Sequence, residues 1–220
     1  MRRILRDNGL TIVLLLLFAF SICGQWLTGW RVAVEDAIRH GKAAMSLAGY
    51  TISPEFLSSV FENWESEFLQ TGAYVVLTAT LFQRGSSESN DPDDTEPRDA
   101  DLAAQAEKPG APVILRKGPF WRALYARSLG IALALLFAAS FVLHWTQSAR
   151  AAAAEAREHG EPAVDTLAYL LDPQLWFESF QNWQSEFLST AILVVLSIYL
   201  RQRESPESKP VAAPHSSTGT

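Results

Sequence analysis

The chain has 220 residues, a formal net charge of −6, one cysteine and a hydrophobic fraction of 48%. A single cysteine excludes an intramolecular disulfide framework, and the acidic balance argues against nucleic acid as a partner. Charged residues make up only 19% of the chain and are confined to a few segments, so long apolar runs dominate the pattern.

In chain order, Arg2, Arg3 and Arg6 precede an apolar run from Leu10 to Trp30. A bilayer core of about 30 Å takes about 20 helical residues, so this run predicts a retained membrane span rather than a cleaved leader. Bulky Ile22 before Cys23 argues against lipoprotein-type cleavage, and Cys23 reads as a small hydrophobe. An outer segment, 31–60, follows. Its helical part stops at His40-Gly41, a helix-ending pattern. The run Phe68–Phe82 is shorter and reaches spanning length only if its helix starts near Asn63, inside FENWESEFL. Gly85–Pro112 is rich in Ser, Asp, Glu and Pro; it is too polar to bury a core and predicts a disordered linker. Ile114–Arg127 is basic and carries Phe120, Trp121 and Tyr125, a positive-inside flank with anchoring on anionic lipid as the alternative. Ser128–Trp145 is a second run of spanning length. Ala149–Glu158 is a strong helix former. FQNWQSEFL opens the last apolar helix, and the Pro/Ser/Thr-rich tail from Ser205 predicts disorder.

A shift of 119 positions carries Trp26 onto Trp145, His40-Gly41 onto His159-Gly160, Tyr50 onto Tyr169 and Pro54 onto Pro173. Between 61–90 and 180–209, 17 of the 30 aligned pairs are identical without a gap, which identifies a tandem duplication. Each repeat reads as helix, outer segment, helix. The basic residues near the ends (Arg2, Arg3, Arg6; Arg84, Arg116, Lys117, Arg122, Arg127; Arg201, Arg203, Lys209) then fall on one side, the cytoplasmic one. The predicted fold is an all-α, polytopic membrane bundle of four transmembrane helices from a parallel two-helix repeat. Repeat 1 covers 1–84, with spans at about 9–30 and 62–83. The acidic linker covers 85–113. Repeat 2 covers 114–204, with spans at about 127–147 and 181–201, and the tail covers 205–220.

Residues four apart share a helix face. Asn63 and Glu67, and their repeat partners Asn182 and Glu186, therefore form a polar stripe that a bundle turns inward. An ionisable group within a span points to function. The competing reading is an interface box near the helix start, with Trp64 and Trp183 as headgroup-level anchors and the carboxylate favoured by the helix dipole. An inter-repeat clamp is the third. His40 with Asp36, and His159 with Glu155, have i, i+4 spacing that can hold a metal, against the plainer reading as helix C-caps. HExxH, CxxC and Gly-rich phosphate loops are absent from the sequence, so no metal, cofactor or catalytic residue is assigned. Both repeats exit through Gln-Arg-x-Ser-x-Glu-Ser, at 83–89 and 202–208, which reads as a helix-ending turn or a partner-recognition spot.

The doubled NWxSEFL box, the His-Gly stop and the shared exit together resemble an uncharacterised bacterial membrane protein family known as a domain of unknown function. The resemblance implies a bacterial inner-membrane location and supplies no activity; the four spans and the basic flanks predict a multi-pass chain with both termini cytoplasmic. The expected role is a non-enzymatic scaffold or envelope-associated factor in the lipid bilayer, with a homo-oligomer or a membrane protein as partner. The alternative is a small oligomeric transporter or channel using Glu67 and Glu186.

Overall fold

The computed structural model describes residues 2–94 and 101–219, so 95–100 of the expected linker lie outside it. The described residues are all helical, without strands: α1 (Arg2–Arg39), α2 (Leu47–Thr51), α3 (Pro54–Thr78), α4 (Leu102–Ala106), α5 (Pro119–Tyr125), α6 (Ser128–His159) and α7 (Pro173–Tyr199), with 3-10 turns at Val113–Lys117 and Ala168–Leu171. Among them, Arg6–Arg39 and Ser128–Glu158 are long and apolar enough to cross a membrane.

The helix ends follow local chemistry and repeat it twice. α1 and α6 close in matching Schellman turns. Lys42 N–H donates to Ala37 O and Glu161 N–H to Ala156 O, each at 2.8 Å. Gly41 and Gly160 supply the left-handed residue, with φ of 67° and 72°. α3 and α7 open on Pro54 and Pro173, which tolerate the first helical position because it lacks an N–H partner. Their caps are also repeat partners: Ser53 Oγ accepts from Phe56 N–H at 3.3 Å, and Asp172 Oδ1 from Gln174 N–H at 2.9 Å. The NWxSEFL boxes therefore lie more than two turns inside their helices. Ser66 and Ser185 are not caps; each hydroxyl donates back to the carbonyl of Asn63 or Asn182 at 2.8 Å.

The chain divides into two compact units, Met1–Val60 with Leu143–Tyr169, and Phe61–Val142 with Leu170–Thr220. In the first, tryptophans of α1 tie down the outer segment: Trp26 Nε1 donates to Thr51 Oγ1 at 2.9 Å and Trp30 Nε1 to Met45 O at 3.0 Å. Buried Tyr50 packs on Phe56, ring centroids 5.2 Å apart, and its hydroxyl presses on Gly29. The repeat partners of that contact are Tyr169 and Ser148, whose hydroxyls lie 3.3 Å apart. Trp145 Nε1 donates to Thr166 O at 2.8 Å.

In the second unit, α3 and α6 approach closely where they carry glycine. A Cβ at Gly72 would lie 3.3 Å from Leu133 Cβ, and one at Gly130 3.4 Å from Val76 Cγ2. Small residues at such points let helix backbones come together in lipid. Phe137 and Phe141 of α6 interlock with Trp176, Phe180 and Trp183 of α7 at centroid distances of 5.3–6.4 Å, the range of favourable aromatic pairs. The segments expected to be disordered contain turns, and residues 201–219 fold back in hydrogen-bonded bends.

Candidate functional site

The polar residues of the second unit gather along one seam between α3 and α7. Near the start of the box, Asn182 Nδ2 donates to Glu62 Oε1, and carboxylate oxygens of Glu62 and Glu178 come within 4.8 Å. One turn further, Trp183 Nε1 donates to Glu65 Oε1 at 3.0 Å, and Glu65 has no exposed surface. Half-buried Glu186 follows on α7, while its repeat partner Glu67 lies on the exposed side of α3. Gln70 Nε2 then donates to Thr190 Oγ1, and Tyr74 OH to Glu88 Oε2 at 2.9 Å. The seam ends at the buried pair Ser86 Oγ and Ser197 Oγ, 2.8 Å apart. The opposite sides of these helices are apolar and unburied, including Val76, Leu77, Leu188, Ile192 and Val195.

Beyond the helices the two exits build the same turn twice. Ser89 Oγ accepts from Gln83 N–H and Ser208 Oγ from Gln202 N–H, at 2.8 and 2.9 Å. Ser86 Oγ accepts from Glu88 N–H and Ser205 Oγ from Glu207 N–H, at 3.1 and 3.2 Å. This explains the shared Gln-Arg-x-Ser-x-Glu-Ser: each serine caps a backbone N–H left free by the end of regular structure. The turns also meet. Ser87 Oγ donates to Glu207 O at 3.0 Å. The three N–H groups of the buried Lys209 ammonium are shared among four carbonyls within hydrogen-bond distance, those of Gly85, Pro214, His215 and Ser217. Burial lowers the Lys209 pKa, and Arg201 nearby adds to the effect. Burial raises the Glu88 carboxyl above its ordinary range; the Tyr74 hydrogen bond pulls it back and the Glu207 charge pushes it further up.

The sequence-derived residues land unevenly. Asn182 and Glu186 are half-buried in the seam, whereas Asn63 and Glu67 are exposed. Trp64 is half-buried and stacks edge-on against Phe61 at 5.5 Å; Trp183 holds Glu65. His40 and His159 each place Nδ1 2.9 Å from the carbonyl four residues back, of Asp36 and Glu155. The structure brings the two caps together, because Lys42 pairs with Glu158 and both histidines stand near that carboxylate. The Lys42 hydrogen bond holds the Glu158 carboxyl below its ordinary range.

Sequence reasoning passed over Glu62, Glu65 and Glu178. Their signal lay in the departures from the repeat: Glu62 and Glu65 align with Gln181 and Gln184, and Glu178 aligns with Ser59. An acid held in one repeat only, at a position inside the seam, has a partner that the other repeat lacks. What the arrangement does chemically is join two helices by donor–acceptor pairs in an apolar setting, where an unmade pair is costly.

The family model described as "Domain of unknown function (DUF6766)" matches residues 1–220. No curated protein and no solved structure matches the chain. A match along the whole chain is decisive for kinship: this protein belongs to the DUF6766 family of domains of unknown function.

Proposed function

We propose that the chain is an integral membrane protein crossing a bacterial inner membrane four times, with both termini cytoplasmic, and that it acts as a non-enzymatic scaffold through its paired helical repeats. The observation that carries this reading is inverted burial. Glu65, Ser66, Ser140, His144 and Ser197 are buried, while Leu10, Leu16, Phe20, Leu135 and Leu188 are exposed. Water penalises exposed apolar surface of this extent; hydrocarbon instead demands that polar groups pair internally. α1 and α6 supply two spans by length and hydropathy. α3 and α7 supply the other two in this reading, with the seam between them and apolar residues outward. The basic residues at 84, 116–127 and 201–209, on one side of an even number of spans, support the orientation.

The test uses a Cys23→Ser background with single cysteines at Glu55 and at Arg203, labelled by a membrane-impermeant maleimide in intact cells and in inverted vesicles. The expected result is Glu55→Cys reacting only from outside and Arg203→Cys only from inside. Reaction of both from one side rejects the topology.

A second reading is a small oligomeric transporter or channel. It rests on Glu67 and Glu186, carboxylates at matching positions of the two repeats within the helices read as spans, since ionisable groups within spans commonly serve ions or protons. Proton or cation flux into liposomes that Glu67→Gln with Glu186→Gln abolishes would establish it; no flux above empty liposomes rejects it.

A further inference from the structure

Resting on the membrane reading of α6, we propose that Val113–Arg127 is an interfacial anchor that binds anionic lipid headgroups where α6 enters the bilayer. Chain connectivity fixes its depth. Only Ala126 and Arg127 separate the end of α5 from Ser128, the first residue of α6. Three chain steps reach at most roughly 11 Å, so the C-terminal end of α5 stays within that distance of the point where α6 enters the bilayer.

Its surface suits that place. On a helix of 100° per residue, Phe120, Leu124, Trp121 and Tyr125 fall within an arc of about 140°. All four are exposed, Phe120 to 69%. An unburied aromatic face at this depth matches the interfacial preference of Trp and Tyr. The element is also preformed: Leu115 is buried, Arg116 Nε donates to Ala106 O at 3.0 Å, and the Lys117 ammonium stands 5.8 Å over the Trp121 ring. A short helix held in shape before it meets the surface loses less freedom on binding.

Charge selects the occupant. Arg116, Lys117, Arg122 and Arg127 lie in this segment, and no Asp or Glu occurs between Glu107 and Glu155. The whole chain is acidic, at −6, so this patch runs against the average. Basic residues beside an aromatic face attract an anionic leaflet specifically, within a Debye length of it.

The experiment places a nitroxide at Phe120→Cys, and separately at Leu135→Cys, in full-length Cys23→Ser protein in nanodiscs. One set is phosphatidylcholine alone; the other contains phosphatidylglycerol. The expected result for Phe120 is a fall of roughly threefold in collision with an aqueous nickel chelate on adding the anionic lipid, reversed at about 1 M NaCl, where the screening length is about 3 Å. Arg116→Gln with Lys117→Gln and Arg127→Gln should remove the fall. Equal chelate access in both lipids, with the Leu135 label buried in lipid, overturns the anchor and leaves the membrane reading intact. Spin–spin broadening between Phe120 labels would show a second copy on this face and also overturns it. Chelate access at Leu135 would remove the membrane reading, and the anchor with it.

Discussion

Glu65 is a buried carboxylate that accepts the indole N–H of Trp183. Removing one member of such a pair strands the other, at about 1–3 kcal/mol. Glu65→Leu should therefore lower the melting temperature in detergent by several degrees, whereas Glu65→Gln, which keeps a carbonyl acceptor, should stay close to wild type. Adding Trp183→Phe to Glu65→Leu removes both polar partners and should recover much of the loss, as apolar replacements of buried pairs often do. No recovery would mean that the indole stabilises through its ring cluster alone. Gly29 tests a contact instead of a charge. Its Cβ would stand 2.3 Å from the Tyr50 hydroxyl, so Gly29→Ala should cost about 1–3 kcal/mol by overpacking. Tyr50→Phe should relieve most of that cost in a thermal melt of the double variant.

At the scale of elements, the exit turns link stability to pH through Glu88. Folding raises its pKa above the ordinary 4.5, mainly through burial, so the folded state holds the proton more tightly. The stabilisation is then fully present below the ordinary carboxylate value and is lost as pH rises through the raised one. Glu88→Gln should flatten that limb of the melting temperature against pH; an unchanged slope would show that Glu88 ionises in the exit without consequence for folding. At the outer caps the sign reverses. The folded Glu158 pKa is lowered by Lys42, so its contribution is present above the ordinary carboxylate value and lost as pH falls through the lowered one. That pair is exposed, and added salt should screen it.

For the whole molecule, exposed leucine distinguishes lipid from water as the surrounding solvent. Leu135 lies mid-way along an apolar run of α6 and is exposed to 65%. At a water-facing site Leu135→Arg would change stability by no more than about 0.5 kcal/mol. In mid-bilayer it should cost about 2.5–3.5 kcal/mol on insertion scales. The expected result is a sharp drop in the carbonate-resistant membrane fraction for Leu135→Arg, with little change for the same substitution at exposed Leu171, in the outer segment. Equal yields of both variants would reject the four-span reading.

The amino-acid sequence by itself determined the self-similarity at a shift of 119 residues, the all-helical class and the helix stops at His40-Gly41 and His159-Gly160, because these depend on residue order, periodicity and the left-handed freedom of glycine. The starts of α3 and α7 were legible too, in Pro54 and Pro173, although the apolar runs drew attention to the later boxes. Tertiary structure alone decided which acids go inside. Glu65 and exposed Glu67 are two residues apart in the same box, and a helix turns them to different sides; which side meets α7 depends on packing against another element. It likewise decided that the serines of the two exits cap their own turns, since a hydroxyl finds its partner only when the chain has bent back to present it.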